Sequence, residues 1–214
     1  MPSTDPAPPR TAPSPEPGVG PLLDEGVYRR LRFADVDLSG TEVESADFSQ
    51  VTFSGTELTG SVLERVTLTD CAWERSSLAN VRAAGSTLIR VAFDASRLTG
   101  FVWANGHLRD VRFSDCRMDL SSFRFSKHTA VVFADCNLRQ ADFAHADLRG
   151  ARFVRCDLTA AQFSQARMEG TAFADCSLEG IGGVLSLRGS TISGHESQAL
   201  LDTLTAALNI TLLP

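Results

Sequence analysis

The 214-residue chain lacks the sequence features of a membrane protein, a metal site or a common class of enzyme. It has no apolar run approaching the roughly 20 residues that a membrane-spanning helix needs. Its five cysteines include no closely spaced C-x-x-C pair, and its four histidines show no zinc-like spacing. Neither a glycine-rich phosphate loop nor a G-x-S-x-G sequence occurs. We therefore predict a non-catalytic protein with no cofactor, no bound metal and no membrane segment.

Proline is scarce outside the first 21 residues, which hold eight of the nine prolines. That segment has no apolar stretch, so it is not a signal peptide. It also has too few apolar groups to offset the entropy cost of ordering it. We predict a disordered, proline-rich leader over residues 1–24, and a cytoplasmic protein because no targeting segment is apparent.

Positive charge is in deficit, with 20 Lys and Arg against 26 Asp and Glu, which argues against a general nucleic-acid binder. The charge is also uneven. Residues 31–80 hold nine acids and three bases (−6), residues 81–130 four and eight (+4), and residues 131–180 seven and five (−2). The acidic end supplies candidate partner-binding residues, which are Asp37, Glu42, Glu44, Asp47, Glu57 and Glu64. The alternative is an ordinary solvated acidic face.

What the chain does have is a five-residue period that runs without interruption from Leu31 to Gly180. Of the thirty third positions, only Ala83 and His128 are not large and apolar, and the first position is usually small or β-branched. A helix requires apolar spacing near 3.6 and a plain strand spacing near 2. A period of five fits neither, so the backbone must turn a corner every five residues.

The segment A-D-F-A-H-A-D-L-R-G, from Ala141 to Gly150, resembles the pentapeptide-repeat family, whose units follow A-(D/N)-(L/F)-x-x. The resemblance implies an all-β fold, a right-handed quadrilateral β-helix with four units per coil. Each unit would form one side, and its third residue would point inward. Successive coils would be hydrogen-bonded through their backbones, with a spacing of about 4.8 Å between coils. We assign residues 25–192 to this β-helix.

A coil of twenty residues sorts the third positions by type. One side collects a continuous column of aromatic residues, namely Phe33, Phe53, Trp73, Phe93, Phe113, Phe133, Phe153 and Phe173. Cys116, Cys136, Cys156 and Cys176 are also twenty apart, and we expect a stack of buried, free thiols with poor geometry for disulfides. Ala83 lies one coil before Trp103, so the small residue would make room for the large one.

The two ends of the coil need covering, because they present unpaired strand edges. We predict a first unit centred on Tyr28. Ser193 and Glu196 have the spacing of a capping box, which favours a helix from about His195 to Leu208. Leu200, Leu201, Leu204 and Leu208 would form its apolar stripe, followed by an extended tail with Ile210, Leu212 and Leu213. Residues 193–214 then either only cover the last coil or also form a homodimer through that stripe.

Two departures from the pattern lie in the coil of residues 111–130. His128 is either a structural histidine or the centre of a bulge that presents a binding surface. Leu120 and Phe125 occupy fifth positions, which should face water. Beside Arg117, Arg124 and Lys127 they form a candidate amphipathic patch for a protein partner, although exposed apolar pairs are often incidental.

The resemblance also implies a function. Some bacterial pentapeptide-repeat proteins bind type II topoisomerases, particularly DNA gyrase, as duplex-shaped acidic rods that mimic DNA or shield the enzyme from inhibitors. The sequence L-R-G-S-T-I-S, from Leu187 to Ser193, followed by an amphipathic helix, is similar to the mycobacterial member of that group. We therefore predict a binding protein for DNA gyrase or topoisomerase IV that gives antibiotic resistance or self-immunity. The alternative is a rigid scaffold with an unrelated protein partner.

The charge density tests the idea of DNA mimicry. Duplex DNA carries one charge per roughly 1.7 Å, so the about 12 Å of axis spanned by residues 31–80 would carry about seven charges. The net −6 of these residues is comparable. Over residues 31–180 DNA would carry about twenty charges, against a net −4 here. Net charge therefore supports mimicry at the acidic end and not in the middle.

Overall fold

The computed structural model describes residues 5–193, 197–208 and 210–211. These residues form a solenoid of short parallel strands that ends in a 3-10 helix at Val184–Leu187 and an α-helix, α1, at Ser197–Leu208. The strands are β1 (Glu16–Pro17), β2 (Val27–Arg29), β3 (Leu31–Ala34), β4 (Glu42–Glu44), β5 (Asp47–Ser49), β6 (Thr52–Ser54), β7 (Val62–Glu64), β8 (Thr67–Thr69), β9 (Ala72–Glu74), β10 (Thr87–Asp94), β11 (His107–Ser114), β12 (Lys127–Ala134), β13 (Arg152–Val154), β14 (Ala172–Ala174) and β15 (Thr191–Ser193).

Strand pairing fixes the circumference of the coil at twenty residues. Phe33 pairs with Phe53 between β3 and β6, and Phe113 pairs with Phe133 between β11 and β12. Isolated bridges on the other sides keep the same offset, as between Asp37 and Glu57. Since each unit has five residues, four units complete one coil. The predicted quadrilateral β-helix is confirmed.

Every fifth-position residue from Glu25 to Gly180 has a positive φ, so the corners are left-handed residues. This conformation costs roughly 1–2 kcal/mol for a residue other than glycine. The cost is offset because the corner amide still bonds to the next coil, as Asp35 N does to Ser54 O at 2.8 Å. The period of five is therefore the length of a short strand plus one left-handed residue that turns the chain.

The core is a set of stacked columns. On the aromatic side the rings of Phe113, Phe133 and Phe153 are spaced 4.9 Å apart with interplanar angles of 4° and 3°. The spacing is that of the coils themselves, so backbone pairing and ring stacking share one repeat. The five cysteines are buried and free, as predicted.

Space for the large ring of Trp103 comes from two small residues. Ala83 is fully buried one coil before it, as the sequence suggested. The pattern gave no sign of the second, Gly106, whose missing Cβ would collide with the indole Nε1 of Trp103. A side chain at Gly106 would have to displace the indole, so the glycine is required by close packing.

The leader differs from the expectation of disorder. Residues 5–24 lie against the coil: β1 pairs with β3, and Gly18 N donates to Arg32 O at 2.7 Å. Leu22 is buried, and a Cβ on Gly18 would lie 2.6 Å from the ring of Phe33. The segment is poor in apolar groups, but the open edge of the first coil supplies backbone partners that composition does not reveal. After the leader, Tyr28 stacks on Phe48 with ring centroids 4.8 Å apart, as predicted for the first unit of the coil.

At the other end, the period breaks where Gly183, with φ 72°, begins the 3-10 helix. Strand β15 then pairs with β14 at an offset of nineteen residues, so that Ile192 meets Phe173. Helix α1 ends at Leu208, as expected. Ser193 of the predicted capping box lies in β15, where its hydroxyl donates to Phe173 O at 3.4 Å. Glu196 and the side chains of Leu208, Leu212 and Leu213 lie outside the described residues. No helix in the described part of the chain is long and apolar enough to cross a membrane.

His128 faces the core, among the rings of Phe123, Phe133 and Phe143. Its Nε2 lies 2.8 Å from the hydroxyl of Ser126, and its Nδ1 is buried with no hydrogen-bond partner. Burial lowers the pKa of His128 to about 3, although the nearby Asp147 acts in the opposite direction. Strand β12 runs through this position without a bulge, which favours the structural interpretation of this histidine.

His128→Leu should raise stability and reduce its loss in acid. The pKa of His128 is lower in the folded protein than in the unfolded chain. Above pH 6.5 the imidazole is mostly neutral in both states and its titration does not affect stability. As the pH falls towards 3, the unfolded chain binds a proton that the folded protein does not, so His128 increasingly destabilises the fold. At 1.36 kcal/mol per pH unit, wild type should lose about 2–3 kcal/mol more than the variant between pH 6.5 and 4.5. Urea denaturation at both pH values measures this. A variant less stable than wild type at pH 7 would show that the imidazole makes a net favourable bond.

Candidate protein-interaction surface

The four faces of the coil are numbered here by their inward third positions. Side 1 contains Phe33, side 2 Leu38, side 3 Val43 and side 4 Phe48, each with its equivalents at intervals of twenty residues. Corner 1, 2, 3 or 4 denotes the fifth positions that follow the side of the same number. Second and fourth positions of each unit face outward, and these positions decide what a partner can contact.

The structure divides the predicted acidic residues among three sides. Asp37 and Glu57 are bridge partners on side 2. Glu42, Glu44 and Glu64 lie on side 3, and Asp47 lies alone on side 4 in β5. The six residues therefore do not form one patch. The predicted acidic surface is reduced to a three-residue cluster on side 3 and a pair on side 2.

The acidic cluster of side 3 is held by the pairing of β4 with β7. Glu44 and Glu64 are direct neighbours in this pairing, and Glu42 lies opposite Val62. All three glutamates are exposed, and Arg65 at corner 3 forms an ion pair with Glu44. Like charges this close repel one another, so the cluster favours contact with a cationic surface.

Leu120 and Phe125 occupy corners 2 and 3 of one coil, on either edge of side 3. Their exposed fractions are 56% and 52%. Both are left-handed, with φ of 59° and 56°. Phe125 stacks on His145 with centroids 4.6 Å apart, and the Arg124 guanidinium lies 5.4 Å from its ring centre. These contacts hold the Phe125 ring in place, so one edge of side 3 carries a fixed aromatic ring and the other an exposed leucine.

The basic residues near this pair are less available than their sequence positions suggested. Arg117 on side 2 pairs with Asp119 at 3.1 Å, and Arg124 on side 3 pairs with Asp142 at 2.9 Å. Lys127 is exposed on side 4, beyond corner 3. The predicted patch is therefore mainly apolar where it faces outward on side 3.

Between the two features, the outward positions of side 3 hold one exposed cation, Arg82, among five half-buried residues, Val62, Ala84, Val102, Ala104 and Ser122. Three coils separate Glu64 from Phe125, or about 14 Å along the axis. The structure thus places parts of both predicted surfaces on one face, which we call the side-3 surface: Glu42, Glu44 and Glu64 at one end, and Leu120, Arg124 and Phe125 at the other.

Helix α1 covers the end of the coil with one face and leaves another open. Leu200 and Leu204 pack against the core, while Leu201 is 42% exposed. A cleft of about 590 Å³ lies between residues 164–169 of the last coils and a wall formed by residues 183–186, Arg188 and Ala207. Among the described residues no cluster of His, Cys, Asp and Glu could hold a metal ion.

These features define a class: a β-solenoid built from five-residue units, with a filled interior and flat outer faces. Family profiles for "Pentapeptide repeat region" and "Pentapeptide repeats (8 copies)" match residues 107–182 and 32–70. The chain belongs to the pentapeptide-repeat family. No curated protein matches it in a sequence comparison.

The solved structure of QnrB1, a plasmid-mediated fluoroquinolone resistance protein, in a trypsin-treated form, has the same fold. It is 20% identical with a TM-score of 0.51, and the alignment covers 90% of this chain and 98% of that one. HetL, a pentapeptide-repeat protein involved in heterocyst differentiation regulation in the cyanobacterium Nostoc, is 16% identical. Its TM-score is 0.36, with 78% and 85% of the two chains covered.

Replacing Leu120 or Phe125 with asparagine should leave stability within about 1 kcal/mol of wild type, or raise it, because asparagine tolerates the left-handed conformation. The matched control is Phe123→Asn, which places an amide in the core and should cost at least the about 3–5 kcal/mol of a buried Phe→Ala change. Urea denaturation measures all three. A large loss of stability at Leu120 or Phe125 would mean that these residues serve the fold and not a partner.

Proposed function

We propose that the protein is a non-catalytic partner of a type II topoisomerase, DNA gyrase or topoisomerase IV, and that it protects this enzyme from an inhibitor. Membership of the pentapeptide-repeat family and the fold shared with a fluoroquinolone resistance protein support the proposal. The observation on which it mainly rests is the side-3 surface, where an acidic cluster and an apolar pair face the same direction on a rigid rod.

The acidic end is the part that competes with DNA for a cationic surface. Glu42, Glu44 and Glu64 lie within two adjacent strands, so their fields add and attract a positively charged site. The charge of residues 31–80 is close to that of DNA over the same length, and that of residues 81–130 is opposite in sign. Mimicry of DNA is therefore confined to the acidic end.

The apolar end supplies affinity by a different mechanism. Leu120 and Phe125 expose apolar area that a partner can bury, and central aromatic residues often dominate binding energy. Because the coil is rigid and Phe125 is already fixed on His145, little conformational entropy is lost on binding. The protein thus orients a charged contact and an apolar contact about 14 Å apart on one face.

Charge reversal on side 3 should weaken the effect on gyrase. The purified protein is expected to alter DNA supercoiling by gyrase, or to restore it in the presence of a fluoroquinolone. Glu42→Lys, Glu44→Lys and Glu64→Lys together should remove this effect, since the cluster would then repel a cationic site. A supercoiling assay with titrated protein measures the concentration for half effect.

The control is a variant with the same change in charge on other faces, Asp37→Lys, Asp47→Lys and Glu57→Lys. It should retain most of the activity, and both triple variants should keep the wild-type unfolding temperature. No effect of the wild-type protein at stoichiometric excess would contradict the proposal. Equal losses in the two triple variants would contradict the assignment to side 3.

The second candidate function is a rigid scaffold for a protein unrelated to DNA topology. It is favoured by the exposure of Leu120 and Phe125, two large apolar residues in a backbone conformation that glycine or asparagine would adopt at lower cost. Under this hypothesis Phe125→Ala abolishes recovery of the partner, while the Glu42, Glu44 and Glu64 variant retains it. Under the topoisomerase hypothesis both variants bind gyrase more weakly.

We further propose that α1 forms a homodimer through its open face, with Leu201 as the central contact and Leu208 as the predicted extension of the stripe. Leu200 and Leu204 instead pack on the coil, so their role is to cover its end. Leu201→Glu should therefore convert a dimer into a stable monomer in light scattering. Leu204→Glu is the control and should destabilise the fold, since it buries a charge. A wild-type protein that scatters as a monomer would exclude this arrangement.

A further inference from the structure

Residues 5–18 lie along the length of the coil and make polar contacts with residues far away in sequence. Gln50 Nε2 donates to Arg10 O at 2.9 Å, and Arg10 N donates to Asp70 Oδ1 at 3.0 Å. Farther along, Ala7 N donates to Asp110 Oδ1 at 3.2 Å. Gln50, Asp70 and Asp110 all belong to corner 4, so one column of the coil binds the backbone of this segment.

The spacing of these contacts matches an extended proline-rich chain. Arg10 is three steps along the chain from Ala7, and in the polyproline conformation three steps advance about 9.3 Å. Two coils separate Asp70 from Asp110, or about 9.6 Å. Because a polyproline segment makes no internal hydrogen bonds, its carbonyl groups and the N–H groups of its non-proline residues, Ala7 and Arg10 among them, are free to bond to the coil.

The main acceptor of corner 4 is held by a contact within the coil itself. Arg90 lies between Asp70 and Asp110 in the column and donates to both Asp70 oxygens at 2.7 Å. This bidentate pair fixes the carboxylate that accepts the Arg10 amide and holds the pKa of Asp70 below its usual value. A fixed acceptor loses little entropy on binding the segment.

The far end of the segment is defined by charge on side 1. Asp5 Oδ1 lies 2.6 Å from Nη1 of Arg152 and 3.7 Å from Nη2 of Arg112. These arginines are the neighbours of Val132 in adjacent strands, on either side of it. Val132 is 2% exposed although its position faces outward, and Pro6 is buried. A buried proline thus follows the ion-paired aspartate, and a buried valine lies between the two arginines that hold it.

We propose that corner 4 and the adjacent part of side 1 form a binding groove for an extended, proline-rich segment that carries an aspartate, and that residues 5–18 occupy it within the same chain. The groove consists of Gln50, Asp70, Asp110, Arg112, Val132 and Arg152. A partner protein with a segment of this chemistry binds here by displacing the leader. The groove is distinct from the side-3 surface, which lies on the opposite face of the coil.

Amide hydrogen exchange on the full chain tests the occupancy. The amides of Ala7 and Arg10 should be protected in wild type. Arg112→Glu with Arg152→Glu should speed their exchange about tenfold, because two ion pairs become repulsions. Adding Asp5→Arg to that variant should restore protection. Arg82→Glu with Arg97→Glu, the same charge change on sides 3 and 2, should have no effect.

Binding of a peptide in trans tests whether the groove is a site. The probe is a fluorescent peptide of residues 5–18, and the receptor is the full chain with its leader weakened by Asp5→Arg, Pro6→Gly, Pro8→Gly and Pro9→Gly. Fluorescence anisotropy should show binding at least about tenfold tighter than to wild type, whose own leader competes at high effective concentration. A peptide with Asp5→Arg should bind several-fold more weakly.

Three results would overturn the proposal. Unprotected Ala7 and Arg10 amides in wild type would show that the leader does not occupy the groove. If Arg112→Glu with Arg152→Glu left the exchange of these amides unchanged, the ion pairs of Asp5 would not hold the leader in place. Normal protection without peptide binding to the weakened variant would show that the leader is only part of the fold.

Discussion

The structure depends on the alignment of two repeats, the backbone bond between coils and the stacking of side chains inside them. Rings of Phe113, Phe133 and Phe153 stack at 4.9 Å, close to the about 4.8 Å between paired strands. The same spacing between coils therefore lets each coil bond to its neighbour's amides and bury its neighbour's rings. Because the inward positions are used in this way, only outward and corner positions remain free to vary. The four faces therefore differ in their outward and corner residues, and a binding site must be sought among those residues.

The corners show how this constraint reaches the surface. Every corner residue from Glu25 to Gly180 is left-handed, and glycine, asparagine or aspartate adopts that conformation at least cost. Leu120 and Phe125 are neither small nor polar, yet they occupy two corners of a single coil on the edges of side 3. Corner 4 contains Gln50, Asp70, Arg90 and Asp110, whose side chains bind one another or the leader. The corners thus carry side chains with specific contacts, whereas most of the interior repeats a few apolar columns.

The sequence predicted the β-helix, the twenty-residue coil and the aromatic column because inward positions obey a strict period. The requirement for Gly106 beside Trp103 was not predictable, since it depends on which way one indole lies within the core. The candidate acidic residues were found by composition, but their division among sides 2, 3 and 4 needed the coil to be traced. The order of the leader was missed because composition describes the segment alone. Its partners, Asp70, Asp110 and Arg152, are between 60 and 147 residues away in sequence.

The central functional claim is that side 3 faces a topoisomerase partner. Hydrogen exchange of the protein, alone and in complex with gyrase, tests it directly because each side of the coil reports separately. The account predicts slower exchange along side 3, in β4 and β7 and around residues 120–125, with side 1 unchanged. Protection confined to side 1, or no protection on any side at saturating gyrase, would contradict it.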